Sequence, residues 1–116
     1  MKLCLAVKSA SFLYKWEIQM FIIMLNYIKR LDIVEKYLDQ HKKFLEFCYK
    51  SNFFIASGPK NPRTGGVIIS QISDRAQLDN LLKQDPFHIN NIADYEIIEF
   101  TPSKYHPNFA AFIEEI

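Results

Sequence analysis

The sequence predicts an α+β domain with elements in the order βαββαβ. This is the split-βαβ, ferredoxin-like arrangement: a four-stranded antiparallel sheet with two helices on one face. Three observations lead there. Four short runs rich in branched and aromatic residues read MFIIMLNY, FFIAS, GVIISQI and DYEIIEF. Apolar residues recur at three- and four-residue steps after the first run and again after the third. The 116 residues are enough for one core and too few for two.

The first strand begins at Met20, with Phe21, Ile23, Leu25 and Tyr27 on one side and Ile22 and Met24 on the other. Both sides are apolar, so both need cover. From about Leu31 to Ser51 a single helix is expected, its core stripe formed by Val34, Leu38, His41, Leu45 and Cys48. Asp32 suits its first turn, while Lys42, Lys43 and Glu46 fall on the wet side. FFIAS makes the second strand. SGPKNPRTGG runs on from its end, and from Gly58 this is a turn-rich connection leading to the third strand, GVIISQI. Ser73 and Asp74 then open a second helix carrying Leu78, Leu81 and Leu82. Proline disfavours helical geometry in the residue before it, so Asp85-Pro86 should end that helix with Asp85 extended. DYEIIEF is the fourth strand.

Two helices on one face leave the other face bare, although its residues are apolar. A second copy packed sheet to sheet would cover it, so a homodimer is expected. A tail over residues 106–116, with Phe109, Phe112 and Ile113, would help to close that interface.

Composition narrows the function. The chain is 49% hydrophobic and 23% charged with a net charge of +1, so no broad field exists to draw nucleic acid or an acidic membrane. RNA binding on such a sheet wants aromatic residues in the third strand, and GVIISQI has none. A small molecule or a protein is the expected partner, and the cytoplasm the expected location. Residues 1–19 start like a secretory signal, with Lys2 before LCLAV. Lys8, Lys15 and Glu17 then spoil the apolar run. That stretch is expected to be an extension upstream of a working start at Met20, or a loosely attached arm.

The chemistry-bearing residues are few. Cys4 and Cys48 have no ligand spacing, and Cys48 stands at an apolar helical position, where a thiol usually acts as a small hydrophobe. His88 and His106 form no ligand unit, so neither metal nor cofactor is expected. His41 is the odd member of an apolar stripe, and imidazole exchanges protons near neutral pH. A histidine on such a face is more often a hydrogen-bonded core residue, and Asp85 has its own explanation before proline. In this fold, however, both helices lie on the same side of the sheet, which allows Asp85 to reach His41 and orient one tautomer. The segment SGPKNPRTGG supplies Ser57, backbone NH groups around Gly58, and the cations Lys60 and Arg63, which together suit an anionic group. A hairpin loop with solvated charges explains the same residues equally well, and no GxxxxGK[ST] phosphate loop is present.

The blocks YLDQHKKFL, SGPKNPRTGG, LLKQDPF and ADYEIIEFTPSKY, in that order, resemble the YciI-like (YCII-related) family over residues 20–105. The resemblance implies a dimeric α/β barrel with an active site on a His and Asp pair, matched here by His41 and Asp85. It also implies that Ser57, Gly58 and Pro59 line the same pocket. Relatives with assigned chemistry are lyase- or isomerase-like enzymes acting on small, often ring-derived acids. The expected reaction is therefore proton transfer by His41 next to a carbonyl or lactone, with Asp85 holding the imidazole and Arg63 or Lys60 pairing with a carboxylate. The alternative is a non-catalytic binding module using the same pocket. Haem handling, known among dimeric α/β barrels, has no residue here that argues for it.

Overall fold

The computed structural model describes residues 18–113. The expected extension over residues 1–19 and the last three residues of the tail therefore lie almost wholly outside the described part. The elements are β1 (Met20–Tyr27), α1 (Leu31–Lys36), α2 (Leu38–Lys50), β2 (Phe54–Pro59), β3 (Gly65–Ser70), α3 (Arg75–Leu82), α4 (Pro86–Ile89) and β4 (Ala93–Phe100), followed by a 3-10 turn at Pro107–Phe112.

The four strands form one antiparallel sheet in the order β2-β3-β1-β4, which is the ferredoxin-like topology. Direct partners across an antiparallel sheet share a face, so register shows what each side carries. Phe21, Ile23 and Leu25 face Ser70, Ile68 and Gly66 on one flank and Glu99, Ile97 and Tyr95 on the other. This side meets the helices and holds the core, where Phe21, Ile23, Leu25 and Ile68 are buried against Val34, Phe44, Cys48, Leu78 and Phe87. The other side carries Ile22, Met24, Val67, Ile69, Ile98 and Phe100. Ile98 and Phe100 there are 44% and 39% exposed while Met20 on the same side is buried, so the apolar face read from the sequence is open in part.

The helices depart from the expected pattern in two places. The single helix expected from Leu31 to Ser51 is broken at Tyr37, which leaves helical geometry at φ −108° and ψ 2°. Its NH bonds the Val34 carbonyl, an i to i−3 closure that tightens the end of α1 before α2 starts. The stripe survives the break. Val34, His41, Phe44 and Cys48 are buried, and Leu38 and Leu45 sit half-buried at its edge. The second helix does not run on to Asp85: α3 ends at Leu82, and Pro86 opens α4 as its first residue. Proline fits there because the first NH of a helix has no intrahelical partner. Asp74 caps α3 as expected, accepting from the Ala76 NH.

The connection after FFIAS is also shorter than expected, because Gly58 and Pro59 continue β2. β2 is an outer strand bonded only to β3, and proline is tolerated where no neighbour needs its missing NH. At the start of β3, Gly65 is required by contact: a Cβ there would lie 1.7 Å from the Leu25 carbonyl oxygen.

Candidate active site

The site stands where α2, the α3–α4 junction and the sheet converge. Asp85 has extended geometry and caps α4, its Oδ1 accepting from the Phe87 NH at 2.9 Å. The same oxygen lies 2.7 Å from Nδ1 of His41, and Oδ2 accepts from the Tyr95 hydroxyl at 2.6 Å. Asp85 is fully buried and His41 is 8% exposed. With both oxygens accepting, the carboxylate serves as acceptor for Nδ1–H as well, which leaves Nε2 as the free ring nitrogen. The ring is plated on one side by Phe87, with centroids 4.0 Å apart and planes within 2°. Tyr27 meets Phe87 edge-on at 6.0 Å.

His41 forms part of the wall of a cavity of about 520 Å³, within the usual size range for small-molecule sites. Most of its wall is apolar, from Leu25, Leu38, Leu45, Pro59, Ile68 and Phe87, and the polar side chains are Tyr27, His41, Lys42, Ser57 and Arg63. The Ser57 hydroxyl is bonded to that of Tyr49. Arg63 Nη1 donates to Glu35 at 3.0 Å, and its guanidinium, held by Glu35 and the Tyr27 hydroxyl, is stabilised in its charged form.

Of the residues singled out from the sequence, His41, Ser57, Gly58, Pro59 and Arg63 line this cavity, and Asp85 stands directly behind His41. Lys60 does not join them. Its NH bonds Gly65 across the hairpin, and its ammonium donates to Asn26, which alternates with Leu25 and Tyr27 and so faces away from the helices. Lys42, assigned to the wet side, is exposed and also reaches the cavity wall.

Tyr95 and Phe87 were not singled out. Strand alternation places Tyr95 on the core side, and a tyrosine hydroxyl in a core needs a partner, so part of its signal was present. Burial first, and then the charge and hydrogen bond of Asp85, push the Tyr95 phenol well above its usual range. Burial, with a smaller effect from the Asp85 charge, raises the Cys48 thiol to about 12. Cys48 is thus an inert core residue rather than a nucleophile. Among the described residues, no group of three His, Cys, Asp or Glu side chains could hold a metal ion, and no helix is long and apolar enough to cross a membrane.

These features define a small α+β domain with a buried histidine–aspartate pair on the wall of a largely apolar cavity. Residues 20–101 match the YCII-related domain, and the chain belongs to that family. Among solved structures it is similar to 5-chloro-2-hydroxyhydroquinone dehydrochlorinase from Burkholderia phenoliruptrix, determined in complex with 2,5-dihydroxybenzoquinone. That likeness has a TM-score of 0.59 at 16% identity, covering 70% of this chain and 90% of the other. It is also similar to a conserved protein from Methanosarcina mazei, with a TM-score of 0.51 at 15% identity, covering 75% of this chain and 95% of the other. At these identities the likeness is one of fold. Among proteins of curated function, none matches the sequence.

Proposed function

We propose that the chain is an acid/base enzyme, a lyase or isomerase, acting on a small organic acid or lactone. The observation that carries this reading is His41, tied through Nδ1 to a buried carboxylate while its other nitrogen is left for a largely apolar cavity. Nε2 takes a proton from the carbon beside the substrate carbonyl, and Asp85 stabilises the imidazolium that forms. Returning the proton to another carbon of the same molecule completes an isomerisation. Expelling a leaving group from the adjacent carbon completes an elimination. Arg63, with Lys42 beside the same cavity, pairs with the carboxylate, and the apolar wall takes the body of the molecule. Lys60 is left out of this scheme because its ammonium is engaged on the other side of the sheet.

The test is incubation with a panel of small acids, lactones and hydroxylated quinones in D₂O, following both turnover and exchange of protons beside the carbonyl. The wild type is expected to exchange or convert at least one member, and His41→Ala to lose that activity by about 10² to 10⁴-fold. A ligand that binds and returns unchanged and unexchanged would make the chain a binding module. A fully active His41→Ala variant would end the acid/base reading.

We infer further that two copies pack through the uncovered sheet face, supported by the exposure of Ile98 and Phe100 beside Ile22, Met24 and Ile69. Phe112 in the tail, which is exposed, would extend that interface, whereas Ile113 is already buried within its own chain. Sedimentation is expected to show a dimer that Ile98→Glu dissociates, and a monomeric wild type would refute it.

A further inference from the structure

Tyr95 lies on β4 directly opposite Leu25, on the side of the sheet that meets the helices. Its hydroxyl donates at 2.6 Å to Oδ2 of Asp85, while His41 is held on Oδ1 at 2.7 Å. A buried tyrosine hydroxyl takes whatever acceptor is near, so the bond alone would mean little. Its acceptor gives it meaning. The carboxylate is fully buried, the Phe87 NH also binds Oδ1, and among the described residues no donor but Tyr95 reaches Oδ2. Donors at both oxygens define the plane of the carboxylate, and that plane sets the direction along which Nδ1–H of His41 must point.

We infer that Tyr95 is a positioning residue of this site, acting through Asp85 to fix the orientation of the His41 imidazole and to draw charge toward Oδ2, away from the Oδ1 that faces His41. Its importance for catalysis rests on the proton-transfer role given to His41, but its geometric effect does not, and it can be read without any substrate. Without the hydroxyl, Oδ2 is left buried and unpaired. More charge then falls on the bond to His41, which shortens.

The experiment is NMR of ¹⁵N-labelled protein, following the Nδ1 proton and both ring nitrogens of His41. Tyr95→Phe is expected to move the Nδ1 proton signal downfield. In an Asp85→Asn background, the same substitution is expected to leave the His41 signals where they are, since the connecting carboxylate is gone. No movement in the wild-type background, or equal movement in both, overturns the inference. Should Tyr95→Phe fail to fold, the wild type decides. Its Tyr95 hydroxyl proton is expected as a slowly exchanging downfield signal close to the Asp85 β-protons, and its absence overturns the inference as well. Failure of the panel assay with these spectra intact would refute the enzyme and leave the positioning role standing.

Discussion

Arg63 lines the cavity already paired with Glu35 of α1, with Nη1 and Oε2 3.0 Å apart and both side chains substantially exposed. An ion pair so open to water is weak and screened by salt, so an incoming anion can replace it. Glu35 is therefore a competitor for the same guanidinium. Glu35→Gln is expected to tighten binding of a carboxylate ligand by up to about five-fold at low salt. Titration calorimetry at low and high salt checks this, the gain shrinking as salt rises. Unchanged affinity at low salt would show that the anion does not use Arg63.

Asp85 holds a helix start and an imidazole at once, and two substitutions separate these tasks. Asp85→Ala removes the cap and strands the donors of His41, Tyr95 and Phe87 around a fully buried position. A cost of about 3 to 5 kcal/mol in urea unfolding is expected, as for other broken buried pairs. Asp85→Asn keeps a good capping side chain and should recover part of that stability without restoring the charge. If the two variants are equally unstable, the cap contributes nothing.

The buried thiol makes stability fall in alkali. Cys48 ionises at about 12 in the folded chain against 9.0 ordinarily. Between these values the unfolded chain holds fewer protons than the folded one, so stability drops as pH rises. The contribution is complete below pH 9.0 and is lost on the way to about 12. The Tyr95 phenol, also raised, adds to the slope in the same direction from its own ordinary value of 10.0 upward. Urea unfolding at pH 8 and pH 10.5 is expected to show lower stability at the higher value. Cys48→Ala should reduce that difference while lowering stability at both. An identical difference in the variant would remove Cys48 from the account.

Gly65→Ala would press its Cβ into the Leu25 carbonyl oxygen, a backbone atom that cannot swing aside. The loss expected is at the upper end of the roughly 1 to 3 kcal/mol range for overpacking, or beyond it. Because Leu25 and Gly66 both line the cavity, ligand binding should weaken as well. A variant with wild-type unfolding would mean that the hairpin accommodates the methyl group.

Much of this arrangement was legible in the chain. The helical stripe through Val34 and Cys48 placed His41 inward, and Asp85-Pro86 announced an extended carboxylate near a helix end. Lys60 was misplaced because a loop reading keeps its two cations equivalent. Once β2 is seen to continue through Pro59, alternation sends Ser57 and Pro59 to one side and Gly58 and Lys60 to the other. The break at Tyr37 left no trace in the apolar periodicity, which α1 and α2 continue across the joint. Tyr95 was readable as a core residue of its strand, but its reach to Asp85 depends on how α4 lies against β4, a tertiary fact without a local signal.

Three successive residues, Asp85, Pro86 and Phe87, supply the carboxylate, the turn that aims it, and both the NH that steadies it and the ring that backs the imidazole. The rear half of the site is thus a single short cassette, to which the sheet adds the Tyr95 hydroxyl on the outer carboxylate oxygen. On the acid/base reading proposed above, the cavity walls on β2 and β3 can change to admit a different molecule without disturbing the histidine–aspartate pair. Size selection and the proposed proton transfer would in this way be separable along the chain.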